Sequence, residues 1–466
     1  MTSVQPPPVN NNLTYWRKTS IIGKLIGVLA PWQEGSYLLQ YGDILATVII
    51  CLVIIAAPFT SNTLVGVLLL AGGGLWSLLT IAEVKNNHNQ LTATHLWIFA
   101  YLLTLIVATA FSSLKIIALS GLIKFSLYLL FFALVSRTLR HPKLLSWVTT
   151  VYLLVSLIVS AYGIRQEIIG VEPLATWTDP NSVLANDTRV YSYLGNPNLL
   201  ASYLIPAFAF SLAALIVWQT WIQKSLAGVA FAVNTACIYF TDSRAGWLAL
   251  VATGVVFLLA FKFWWSDYLS PFWRKWLVPL AILAFLGLLG VAIVFVEALK
   301  IRVLSIFAGR GDSSNNFRLN VWKAAIVMIK DYPLTGIGPG NAVFNQIYPY
   351  YMQTKYTALS TYCIFLEVMS ETGVFGLFSF LALIVATSIR GIKLIANLKI
   401  TKNVQSMWVI ASLATMAGLA TQGIVDTVWY RPQINTLWWL CVGIITAIPF
   451  TLTQQQNSKS DQGLND

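Results

Sequence analysis

Charge is what this chain most lacks. Lys, Arg, Asp and Glu supply 10% of its 466 residues, against roughly 25% in a soluble domain. The rest is apolar in kind: 57% of residues are hydrophobic and the mean hydropathy is +0.71. This balance excludes a soluble globular domain and points to the membrane. Histidine is nearly absent, with only His88, His95 and His141. All three fall in or beside segments read below as cytoplasmic, so no Ser–His or metal–His constellation can be built on the outer face. The four cysteines, Cys51, Cys237, Cys363 and Cys441, lie far apart in or beside apolar segments. That spacing excludes a CxxC metal site, argues against a disulfide framework and reads as small buried hydrophobes. A cleavable signal is also missing: "MTSVQPPPVNNNLTYWRKTS" is polar and Pro/Asn-rich, with no apolar core. Residues 1–20 are therefore expected to be a disordered cytoplasmic tail, and 453–466 ("TQQQNSKSDQGLND") another. The net charge of +12 shows no basic stripe of a nucleic-acid binder. In a membrane protein, such charge sets topology and meets anionic lipids.

What is present in quantity is apolar runs long enough to span a bilayer as helices. Candidate spans lie near 44–60, 63–82, 95–112, 116–135, 144–164, 198–218, 225–241, 245–263, 277–297, 372–389, 405–425 and 434–452. The expectation is an all-α, polytopic bundle of about twelve transmembrane helices, one domain over 21–452. With a cytoplasmic N-terminus, the positive-inside rule is met by Arg17, Lys18 and Lys24, then Arg137, Arg140 and Lys143, then Lys262, Arg274 and Lys275, then Arg390, Lys393, Lys399 and Lys402. An even number of spans returns the C-terminus to the cytoplasm of the same plasma membrane. Lys124, inside the fourth span, either lines a path or snorkels. No internal repeat of the transporter kind is visible.

The outer face is expected to carry two long loops, about 165–197 and 298–371. Its basic residues include Arg165, Arg189, Arg244, Arg302, Arg310, Arg318 and Arg431, whereas those inside are mostly lysine. Topology explains basic residues inside but not arginines outside. An arginine fork grips phosphate or carboxylate bidentately, so this surplus points to an anion. Within the second loop, "FRLNVWKAAIVMIKDYPLTGIGPGN" (317–341) reads as a short amphipathic helix with Trp322, Ala325, Ile326 and Ile329 at helical spacing, ended by Pro333.

Several short stretches carry candidate chemistry. In "TDSRAGW" (241–247), Asp242 and Arg244 form either an anion site, with Asp242 orienting the guanidinium, or a tight turn with a local ion pair. In "GNPNLLASYL" (195–204), Asn196, Pro197 and Asn198 mark a helix start whose free N–H groups attract anions, with Arg189 just upstream. "GIGPGNAVF" (336–344) lacks the Lys-Ser/Thr of a phosphate loop and reads as a helix end followed by a turn. "YCIFLEVMSETGVFG" (362–376) places Glu367 and Glu371 four apart on one helical face, as a general base or as partners of outer arginines. Asp426 and Arg431, in "GIVDTVWYRP" (423–432), are a second pair on that face.

The stretches "RVYSYLGNPNLLASYL" (189–204), "TDSRAGWLAL" (241–250), "RLNVWKAAIVMIKDYPLTGIGPG" (318–340) and "LEVMSETGVFG" (366–376), in this order, resemble the O-antigen ligase-like superfamily of bacterial membrane proteins, which also holds polysaccharide polymerases. "VDTVWYRPQINTLWW" (425–439) resembles its cyanobacterial branch, named for inorganic-carbon (bicarbonate) transport. The resemblance implies transfer of a saccharide from a polyprenyl pyrophosphate to an acceptor at the outer face, with no metal, nucleotide or other cofactor. It implies that Arg189, Arg244 and Arg318 hold the pyrophosphate, and Arg forks would stabilise the charge on that leaving group. It also implies a histidine base where this chain has Tyr362. An unperturbed tyrosine, with a pKa of about 10, is a poor base at neutral pH. Glu367, Glu371 and Asp426 are then the candidates, or the chemistry is absent and the arginines serve a small anion such as bicarbonate.

Overall fold

A computed structural model describes residues 28–32, 35–82, 91–171, 189–307, 309–426 and 429–448. The expected tails at 1–20 and 453–466, Arg17, Lys18, Lys24, His88 and most of the loop at 165–197 lie outside the described residues. The described secondary structure is entirely helical. It runs α1 (Gly42–Phe59), α2 (Asn62–Ile81), α3 (Ala93–Phe111), α4 (Lys115–Thr138), α5 (Pro142–Ile169), α6 (Pro197–Val217), α7 (Trp221–Phe240), α8 (Arg244–Trp265), α9 (Pro271–Phe295), α10 (Glu297–Phe307), α11 (Ser313–Asp331), α12 (Asn341–Ile347), α13 (Ile364–Ile400), α14 (Ser406–Val425) and α15 (Pro432–Ala447). Ten of the described helical stretches are long and apolar enough to cross a membrane. With α7 and α15 packed among them, each of the twelve expected spans has a helix, and the chain is a polytopic helical bundle.

Helix starts follow local chemistry. Asn196 accepts from the N–H groups of Asn198 and Leu199, with Pro197 in the first turn of α6. Ser61, Thr220 and Ser243 cap α2, α7 and α8 in the same way. Each cap satisfies a donor that the helix itself leaves free. The centre is α6, α14 and α15. Every residue of α15 is buried, including Trp438 and Trp439, and Trp408 of α14 lies 6.2 Å from Phe210 of α6. Apolarity alone would equally suit a lipid-facing helix; it is the Gln433, Asn435 and Thr436 side chains of α15 that lipid would penalise and that the middle of the bundle shelters. Polar links fix neighbours inside this apolar medium. Ser160 of α5 donates to Asn234 of α7 at 2.7 Å, and Asn234 donates back to Ser156 at 3.0 Å. The four cysteines are free thiols, and three are buried. Lys124 is exposed on α4, so it faces away from the bundle rather than into a path through it.

Helix α13 departs from the sequence reading. The tenth span was expected from 372, with Glu367 and Glu371 on one helical face beside the long outer loop. Instead the helix begins at Ile364 and is broken at Gly373, where φ is 68°. The break exposes carbonyls that a continuous helix would satisfy, and the glycine-rich loop supplies their partners. Ile337 N–H donates to Ser370 O at 2.8 Å and Gly338 N–H to Glu371 O at 3.0 Å, while Val374 N–H donates to Pro333 O at 2.9 Å. Ser112, at the end of α3, donates to Ile337 O at 2.6 Å and ties the loop to the bundle. "GIGPG" is thus a plug seated in a broken helix as well as the turn after α11. A Cβ at Gly373 would run into the Leu334 carbonyl, and one at Gly336 into the Glu371 backbone. Gly373→Ala is expected to cost at least about 2 kcal/mol, since a positive φ and a backbone clash act together. A thermal melt of the detergent-solubilised protein checks this, and an unchanged midpoint would mean that the break is not needed.

Candidate functional site

One end of the bundle gathers the polar chemistry. The start of α6, the α7–α8 turn, the end of α14 and the start of α13 all meet there. Gln422 of α14 donates to Asn198 O at 3.0 Å, and Ile364 of α13 lies against Gly423 of α14. The two described histidines sit at the other end: His95 completes the capping box of α3, and His141 stands before α5, 3.9 Å from Asp43. That other end is basic. Lys399 pairs with Asp267 at 3.0 Å, and Arg390 donates to the last carbonyls of α15 at 3.1–3.3 Å.

The α7–α8 turn is tight, and Asp242 takes a φ of 53° at its apex. This turn aims Asp242 and Arg244 outward, but not at each other. Asp242 accepts from Nε of Arg302 at 3.1 Å and from its Nη2 at 3.0 Å. Arg244 instead pairs with Asp312 at 2.9 Å and donates from Nη1 to the Ser305 backbone and hydroxyl at 3.0 and 2.9 Å. Asp242 therefore orients Arg302, not Arg244. The reason is reach: Asp242 and Arg244 leave a tight turn in different directions, and α10 and the N-cap of α11 close over them. Asp312 is itself that N-cap, accepting from Asn315 N–H at 2.8 Å. Burial works to raise its carboxyl pKa, but the Arg244 hydrogen bond, the Asn315 N–H and Arg318 together hold it below the ordinary carboxylate range. Both ion pairs are largely shielded from solvent, and they set the arginine geometry.

Arg189 completes the group. Its Nε donates to Thr241 O at 3.3 Å, and its Nη2 reaches Asn198 Oδ1 at 3.4 Å and Asp242 O at 3.5 Å. Burial first, then the positive charge of Arg302, lowers its pKa to about 10; Asp242 opposes this, and Arg244 and Arg318 add to it. The four arginines thus feel one another. Arg318, on α11, donates to Ser314 at 2.7 Å, and its buried Nε has no hydrogen-bond partner. Two of the four guanidiniums have a carboxylate within ion-pair distance, Asp242 for Arg302 and Asp312 for Arg244. Arg302 and Asp312 were missed as site residues. The outer-arginine surplus already included Arg302, but nothing in sequence spacing pairs residues 60 or 68 positions apart.

Arg318 also borders a second group. Tyr362, with a φ of 52°, stands immediately before α13. Burial, then the charges of Asp426 and Tyr430, push its pKa to about 12, against the opposing effect of Arg318. Asp426 caps the end of α14, is 3% exposed, and lines a small cavity with Ile364, Leu419, Gly423 and Trp429. Tyr430 senses both Glu367 and Asp426, and the Arg431 guanidinium lies 5.1 Å over its ring. Glu367 is buried in the first turns of α13. Glu371, one turn on, stands at the helix break beside Gly340 and shares Tyr101 as a neighbour with Glu367. Non-glycine residues with positive φ are uncommon and gather at functional sites. Ser192, Asp242 and Tyr362 all belong to this end.

The α11 helix ends where Pro333 required, with Tyr332 as its last cap. Its buried stripe is Val321, Ala324, Ala325, Met328 and Ile329; Ile326, expected on that stripe, is 44% exposed. The buried stripe packs α11 against Ala118 of α4, Ile337 and α12, with Arg318 one turn before it.

No curated protein matches the chain. Residues 228–381 match the O-antigen ligase family. That stretch contains Asp242, Arg244, Arg302, Asp312, Arg318, Tyr362, Glu367 and Glu371, whereas Arg189, Asn198, Asp426 and Arg431 lie outside it. The chain is a multi-pass helical membrane protein carrying, over residues 228–381, a domain recognisably similar to the O-antigen ligases.

Proposed function

We propose that this protein transfers a saccharide from a polyprenyl pyrophosphate to a hydroxyl acceptor at the outer face of the plasma membrane, with both termini in the cytoplasm. The observation that carries this reading is the cluster of Arg189, Arg244, Arg302 and Arg318, in which Arg302 pairs with Asp242 and Arg244 with Asp312. A doubly negative pyrophosphate diester is the kind of anion that several guanidinium forks grip bidentately. Each fork is already held by carbonyls, hydroxyls or carboxylates, so little reorganisation is needed when charge develops on the leaving group.

In the step itself, the acceptor oxygen bonds to the anomeric carbon. The bond from that carbon to the pyrophosphate oxygen breaks, and its electron pair leaves with the polyprenyl pyrophosphate held by the arginines. The acceptor proton passes to a carboxylate. Asp426 is the best placed, because it is the first charged neighbour of Tyr362, the position where the resemblance expects a base. Tyr362 itself, with its pKa pushed to about 12, holds its proton at neutral pH. The region also offers Glu367 beside Tyr430.

A strain lacking the gene, complemented with wild type or Arg244→Ala, tests the reading through its lipopolysaccharide and exopolysaccharide profiles. The expected result is an altered profile that only wild type restores. Identical profiles in all strains would remove the transferase reading, and saturable bicarbonate uptake by reconstituted vesicles would then favour an anion carrier built on the same arginines.

A further inference from the structure

The loop between α12 and α13 is rich in tyrosine: Tyr348, Tyr350, Tyr351, Tyr356 and Tyr362 fall within "YPYYMQTKYTALSTY". Core packing accounts for Tyr348, which is buried and stacks on Phe344 at 4.8 Å. Tyr351 is spent on Asp331, to which its hydroxyl donates at 2.8 Å. Tyr356 is different. Its backbone is held by the Tyr348 hydroxyl at 2.8 Å, and its ring is half-buried at the surface. The ring lies 5.9 Å from Phe317 of α11, and Phe317 lies 5.6 Å from Tyr362, edge to face. Three partly exposed rings thus run from the outer loop to the point where Tyr362 meets Arg318 and Asp426. Amide and guanidinium groups flank the outer end. Asn316 donates to the Tyr356 hydroxyl at 3.3 Å and accepts from Arg310 at 2.8 Å.

This combination suits one ligand class. A pyranose ring has an apolar face of C–H bonds that packs on an aromatic ring, and a rim of hydroxyls that needs amide and guanidinium partners. We propose that Tyr356, Phe317 and Tyr362 form a track that binds the acceptor saccharide and delivers its hydroxyl to the carboxylates beside Arg318. The inference rests on the transferase reading above, and it separates two substrates in space. The donor pyrophosphate lies on the α7–α8 and α10 side of Arg318, and the acceptor glycan lies along α11 and the tyrosine loop.

The test uses full-length protein in nanodiscs, a polyprenyl-pyrophosphate oligosaccharide as donor, and oligosaccharides released by mild acid from the surface glycan of the producing cells as acceptor probe. Tyr356→Ala and Tyr356→Leu are expected to raise the acceptor KM about tenfold, the scale of one lost aromatic face, with the donor KM unchanged. Tyr356→Phe keeps the ring but loses the Asn316 contact, and is expected to stay within about twofold. An unchanged donor KM also shows that each variant is folded. If wild type consumes donor but Tyr356→Ala and Tyr356→Leu leave the acceptor KM within twofold, the track is refuted and the tyrosines belong to the interfacial aromatic belt. If wild type consumes no donor, the transferase reading falls and the track with it.

Discussion

Alanine at Arg302 is expected to reduce kcat/KM for the lipid-linked donor by about a hundred- to a thousandfold, the range seen when one preorganised donor to a developing anion is lost. Arg302 is the largest charged influence on Arg189, and both its Nε and Nη2 are fixed by Asp242, leaving the other edge of the fork for substrate. Lysine at this position keeps the charge but not the fork, so Arg302→Lys is expected to recover only part of the rate. Removing Arg302 also leaves Asp242 without the partner that orients it. The double variant Arg302→Ala/Asp242→Ala separates the two effects, because it removes both charges of the pair. Its thermal midpoint is expected to approach that of wild type while transfer stays low. A double variant that transfers at the wild-type rate would show that Arg302 serves only to balance Asp242.

Asparagine at Asp426 is expected to lower kcat by about a hundred- to ten-thousandfold, the usual worth of a positioned general base. Asn retains the shape and a hydrogen-bonding oxygen at this helix end, so folding should survive. Glu367→Gln is expected to cost less, because Glu367 bears on Tyr430 rather than leading the charges around Tyr362. Glu371→Gln is expected to act on stability instead, since Glu371 sits at the break where the Gly336–Gly340 loop is seated. Tyr362→Phe is expected to keep most of the rate, because a phenol with a pKa near 12 is not the proton acceptor. Single-turnover rates across the four variants give the ranking. A larger loss in Glu367→Gln than in Asp426→Asn would move the base to the first turns of α13.

The order of the spans was legible because hydrophobic length is a local property. Asn196, Pro197 and Pro333 acted within one turn, and the helix edges they required are present. Glu367 and Glu371 illustrate the limit of that logic. Their spacing put both on one helical face, as they are, but not their separate surroundings: Tyr430 lies by one, and a loop some thirty residues upstream closes on the other. Asp242 and Arg244 misled in the opposite sense: adjacency suggested a pair, and the turn's positive φ separated them.

By itself the sequence determined a charge-poor helical membrane bundle, with histidine kept to one end and a surplus of arginine at the other, since side-chain cost in lipid is paid residue by residue. Tertiary structure alone decided which arginine meets which aspartate, that α13 breaks at Gly373, and that Tyr356, Phe317 and Tyr362 stand in line. Those facts depend on contacts between distant segments, and packing fixes such contacts where sequence periodicity is silent.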